Sequence, residues 1–195
     1  TNGVSFLPHE KLMIARYLLS DVGVDRIEVA SARVSDGEKD AVRMICNYAQ
    51  QHGMLDRVEV LGFVDGKKSV DWITECGCKT INLLAKGSLR HCQYQLKKTL
   101  EEHVPTRRSS DLWSSHSKGM TVNLYLEDWS QGMRDSRDYV WKMMDSLKDA
   151  GIVRFLLPDT LGILNPVNTY EYVKAITARY PGVKFEFHGH NDYDM

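Results

Sequence analysis

Phe185-Glu186-Phe187-His188-Gly189-His190-Asn191-Asp192 is the stretch on which the fold turns. A short β-rich run, residues 183–187, gives way at once to imidazoles, an amide and a carboxylate. The same order recurs upstream. Val122-Asn123-Leu124-Tyr125-Leu126 leads into Glu127-Asp128, and Phe155-Leu156-Leu157-Pro158 leads into Asp159-Thr160. Further β-rich runs are expected at 25–30, with Glu28 toward its end, at 57–64 and at 79–84. Between the runs the apolar period lengthens to that of a helix, as in the stripe Val140, Met143, Met144, Leu147 and Ala150, read as core. Strands alternating with helices predict a parallel sheet covered by helices, and runs such as 155–157 lack the alternation of a half-exposed strand.

Two α/β architectures satisfy that pattern. A doubly wound sheet would carry a glycine-rich phosphate loop after its first strand, and none is present. A (β/α)8 TIM barrel places polar chemistry at the C-terminal ends of several strands, which is the arrangement seen. The sequence is read as a barrel fragment with about six of the eight units, the first strand and last unit missing.

Helix starts are marked by Pro8, by Ser35 with Glu38 as a capping box, and by Asn165-Pro166. Hydrophobic residues make up 43% and charged residues 26%, with net charge −1, so neither a nucleic-acid footprint nor a membrane surface is expected. With no membrane-spanning run and no signal-like start, the expected location is the cytoplasm. Cys46, Cys76, Cys78 and Cys92 are expected as thiols, Cys78 tucked beside a strand, in preference to a zinc site built on Cys76-Gly-Cys78.

His188 and His190 stand two apart at a strand end, so the strand period turns both imidazoles to one side, where they can chelate one divalent ion. At least one more ligand must come from elsewhere, and a mixed nitrogen and oxygen set suits Mn²⁺, Mg²⁺, Zn²⁺ or Co²⁺. Glu127 is a candidate acid/base or orienting group, Thr160 a candidate hydroxyl for a substrate carboxylate, and Glu28 a candidate for the metal's outer shell or for holding an arginine. Their plain alternatives are a solvated carboxylate, a turn hydroxyl and a structural ion pair.

The strings VDRIEVASARVS (24–35), LGFVDGKKSVDWI (61–73), NLLAKGSL (82–89), YLEDWS (125–130), LPDTLGIL (157–164) and FEFHGHNDYD (185–194) resemble the 2-isopropylmalate/homocitrate/citramalate synthase family. HGHND with PDTLG carries the family; IEVASARVS with YLEDWS favours its citramalate-forming branch. The resemblance implies a metal-dependent acyltransferase that condenses acetyl-CoA with a small 2-oxoacid, pyruvate favoured, in isoleucine biosynthesis. It implies metal ligation by His188 and His190, a catalytic Glu127, carboxylate binding by Thr160, and a wall of Leu61, Leu84 and Tyr125 around the 2-oxoacid side chain. It further implies a homodimer and an Arg-Asp-Gly-Glu segment before Thr1, so the chain alone is expected to be inactive. Isopropylmalate or homocitrate synthesis, acyl-CoA cleavage on the same barrel, and an inert truncated product are the competing readings. Residues 105–112, Pro105-Thr106-Arg107-Arg108-Ser109-Ser110-Asp111-Leu112, depart from the family. Back-translated, they resemble a sequencing adapter and are read as non-native, against the alternative of a real polar loop.

Overall fold

A computed structural model describes residues 5–103 and 110–192, so residues 105–109 of the family-discordant segment lie outside the described residues. The six expected runs are all strands: β1 (Ile27–Ser31), β2 (Val58–Phe63), β3 (Thr80–Lys86), β4 (Thr121–Glu127), β5 (Arg154–Asp159) and β6 (Phe185–Gly189). They hydrogen-bond in the order β1-β2-β3-β4-β5-β6, parallel. A doubly wound sheet reverses its order at a switch point. This order never reverses, and the fold is part of a TIM-type barrel.

Helices fill the connections: α1 (Pro8–Arg16), which continues as a π-helical turn over Tyr17–Val22, then α2 (Asp36–Gln51), α3 (Lys68–Glu75), α4 (Leu100–His103), α5 (Ser110–Ser117), α6 (Trp129–Asp135), α7 (Arg137–Leu147) and α8 (Pro166–Arg179). Pro8 opens α1 as expected. At α2 the Ser35 hydroxyl accepts from the Glu38 amide at 3.2 Å, but the Glu38 carboxylate pairs with Lys11. Only half of the expected capping box therefore forms, because a cation outbids the backbone amide. Asn165 caps α8 by accepting from the Asn168 amide at 2.8 Å, with Pro166 at the first helical position.

The chain forms two compact units: residues up to Asn82 with Ser114–Thr121, and Leu83–Trp113 with residues from Val122 onward. In the first, α1 packs on α2, and Val42, Ile45, Ala49, Val58, Val60, Val70, Ile73 and Ile81 are closed to solvent. Each of these valines and isoleucines contributes about 1.5–3 kcal/mol when fully buried. Cys46, Cys76 and Cys78 are buried free thiols of this unit, and the Cys78 sulfur lies 3.4 Å from the Val58 carbonyl beside β2. In the second unit α6 packs on α7 and β5, β5 lies against β6, and the expected stripe Val140, Met143, Met144, Leu147 and Ala150 is buried.

Candidate active site

In the second unit, β3 to β6 end in succession at Lys86, Glu127, Asp159 and Gly189. Three glycine contacts draw these ends together. The Gly87 amide donates to the Glu127 carbonyl at 2.6 Å. A Cβ on Gly87 would strike the Leu126 carbonyl, and one on Gly132 would strike the Gly87 carbonyl. Glycine at both positions lets the loop after β3, the end of β4 and helix α6 approach backbone to backbone.

Glu127 forms an ion pair with Lys86, both side chains largely withdrawn from solvent. Asp128, which follows, takes a left-handed conformation at φ 65° and caps α6, a strained geometry for a residue with a side chain. Its carboxylate accepts from the Ser88 hydroxyl at 2.6 Å and faces His91 Nε2 at 3.4 Å. Among the described residues, Asp128 Oδ1 and His91 Nδ1 are buried without a hydrogen-bond partner. The Asp128 amide donates to the Thr160 hydroxyl at 2.8 Å. That bond fills an acceptor site on the hydroxyl and leaves its proton for another acceptor.

Thr160 is held by its neighbour. The Asp159 carboxylate accepts from Ser130 Oγ at 2.6 Å, from the Ile163 amide at 3.1 Å and from the Leu164 amide at 2.8 Å, so it ties the loop after β5 to α6. His188 lies in β6 and His190 just beyond it, their rings nearly parallel with centroids 5.0 Å apart. The Tyr125 ring of β4 meets His188 edge-on at 6.0 Å. Burial, and then the neighbouring His190, hold His188 below the usual histidine value, favouring the neutral form that ligates metals.

The structure therefore brings Glu127, Thr160, Tyr125, His188 and His190 to neighbouring strand ends. Leu84 is half-buried on β3 of the same unit, and Leu61 half-buried on β2. Glu28 stands near the start of β1, not toward its end as expected, because pairing begins only at Ile27 and runs on to Ser31. Its carboxylate accepts from Asn82 Nδ2 at 2.6 Å, and that amide also donates to Glu59 at 2.9 Å. Burial raises the Glu28 carboxyl above its ordinary value, the Asn82 bond working against this and Glu59 with it. Among the described residues no group of three or more His, Cys, Asp and Glu side chains is placed to hold a metal ion. The pairing of Lys86 with Glu127 was not foreseen from the sequence. The available sign was a lysine directly after an apolar strand run, beside a strand that ends in glutamate.

The family model for HMGL-like proteins matches residues 1–195, and the chain belongs to that family. A probable 2-isopropylmalate synthase of Ignicoccus hospitalis is 31% identical over 195 residues, which are all of this chain and 46% of that protein. The (R)-citramalate synthase of Methanocaldococcus jannaschii is 31% identical over 196 residues, covering all of this chain and 38% of its own length. The chain thus spans less than half the length of these relatives. Among solved structures, the hydroxymethylglutaryl-CoA lyase of Pseudomonas aeruginosa aligns with a TM-score of 0.75 at 19% identity, over 98% of this chain and 64% of that one. At that identity the likeness shows the fold. No helix of the described residues is long and apolar enough to cross a membrane.

Proposed function

We propose that this chain is part of the catalytic barrel of an enzyme condensing acetyl-CoA with a 2-oxoacid, pyruvate giving (R)-citramalate being the favoured reaction. The observation that carries the reading is the succession of Glu127, Thr160 and the paired imidazoles of His188 and His190 at the C-terminal ends of the adjacent strands β4, β5 and β6. The similarity to both a citramalate and an isopropylmalate synthase supports the reaction class, and the citramalate-type strings of the sequence support pyruvate.

The His188 and His190 rings lie close enough for one nitrogen of each to reach a common ion, and they fit as two members of a larger ligand set completed outside the described residues. A divalent ion held there would supply Lewis-acid polarisation of the 2-oxoacid carbonyl. Thr160, its oxygen occupied by the Asp128 amide, donates its proton to the 2-oxoacid carboxylate. Glu127 accepts a proton from the thioester methyl group; the C–H electron pair forms the new bond to the keto carbon, the carbonyl π pair moves onto oxygen, and that oxygen takes a proton from water to end as a hydroxyl. Water then cleaves the thioester and releases CoA. Leu84 and Tyr125 border the 2-oxoacid side chain, where one methylene of space is worth about 1–3 kcal/mol of discrimination.

Glu127→Gln in the full-length protein tests the assignment. Removing a general base is expected to lower kcat about 10²–10⁴-fold in a variant that still folds. A variant within a few-fold of wild type would remove Glu127 from the chemistry.

A further inference from the structure

We infer that Lys86 is a positioning residue for this reaction, its ammonium holding the Glu127 carboxylate aimed at the substrate. The inference rests on the condensation proposed above and adds a residue that neither the sequence motifs nor the similar proteins assign.

Lys86 is the last residue of β3, its side chain 13% exposed and that of Glu127 23%. A cation so withdrawn from water needs a compensating partner, and Glu127 is the one the structure provides. The main chain around the lysine is fixed on three sides. The Lys86 amide donates to His103 Nε2 at 2.7 Å, the Tyr139 hydroxyl donates to the Lys86 carbonyl at 2.9 Å, and the next amide, of Gly87, donates to the Glu127 carbonyl. His103 can accept because burial, then Lys98 and Lys86, hold its ring neutral. The lysine stem thus starts from a latched strand end whose neighbour is bonded to the glutamate's own backbone.

The pairing engages Glu127 through Oε2 and leaves Oε1 without a protein partner among the described residues. A base needs this arrangement: one oxygen tethered and the other open. A pair serving stability alone would have no reason to sit where β4 meets Thr160 and the histidine-bearing strand end.

The test uses the full-length enzyme and its CoA release, in wild type, Lys86→Met, Lys86→Arg, Glu127→Gln and the double variant Lys86→Met/Glu127→Gln. Lys86→Met is expected to lower kcat about 10²-fold while KM for the 2-oxoacid changes little, the loss of a group acting through the base. Lys86→Arg restores most of the rate by returning the charge. The double variant is no slower than Glu127→Gln, because residues acting as a unit are not additive. Should Lys86→Met fail to fold, Lys86→Gln is read in its place against the same expectations. Full activity in the neutral variant, or losses that multiply in the double variant, would overturn the role of Lys86 alone. Absence of CoA release from wild type with any 2-oxoacid would overturn the condensation itself, and this role with it.

Discussion

His103 shows how far a single side chain can reach into both site and stability. Its imidazole is buried, accepts from the Lys86 amide and is pushed down to about 4 from an ordinary 6.5, chiefly by burial. Between those two values the unfolded chain binds a proton that the folded chain refuses. The stabilisation that depends on the neutral ring is therefore complete above about pH 6.5 and is lost as pH falls toward 4. The shift corresponds to about 3 kcal/mol. Urea unfolding at pH 7 and at pH 4.5 should show a loss of stability that His103→Gln largely removes, since glutamine can accept the same bond without titrating. An equal loss in the variant would assign the pH dependence to other groups. At this scale the sequence revealed residues whose type is unusual for their place: two histidines and a glutamate at strand ends. It concealed those whose partners are distant in the chain. Lysine is ordinarily a solvated residue, so only its place directly after the apolar run in NLLAKGSL hints at a partner 41 positions away. Asn82 bridging Glu28 and Glu59 was equally invisible, its partners lying on two other strands.

Elements were more legible than residues, because strands buried on both faces write themselves as apolar runs. Five of the six strands nevertheless extend one or two residues beyond the expected end, as at Lys86, Glu127 and Gly189. At β4 the expected run stops before Glu127, whereas the sheet continues through that residue, whose charge is paired with Lys86. The glycines in AKGS and DWSQG are the element-scale counterpart: they read as ordinary turn residues, yet they set the approach of α6 to the end of β3. Gly132→Ala is expected to cost about 1–3 kcal/mol by overpacking against the Gly87 carbonyl, seen as a lowered denaturation midpoint. Because the strain falls at the base of the Lys86–Glu127 pair, activity should drop at temperatures where the variant is still folded. A variant as stable and active as wild type would mean that the backbone approach carries little weight.

Across the whole molecule, the sequential strand order is what joins the fold to the chemistry. Parallel strands in unbroken succession present their C-terminal ends on one side, so residues scattered from position 86 to 190 fall at neighbouring strand ends. That architecture was legible from the strand–helix alternation and the absence of a phosphate loop. A complete metal site was not, since among the described residues no group of three or more His, Cys, Asp and Glu side chains is placed to hold an ion. The central claim, that this barrel condenses acetyl-CoA with pyruvate, is tested most directly by CoA release from the full-length protein supplied with acetyl-CoA, Mn²⁺ and either pyruvate or 2-oxoisovalerate. The account predicts turnover with a kcat/KM for pyruvate about 10–200-fold above that for 2-oxoisovalerate, the range a methylene-scale hydrophobic pocket can deliver. Preference for 2-oxoisovalerate would contradict the pyruvate assignment while keeping the reaction class, and no CoA release with either acid would contradict the condensation.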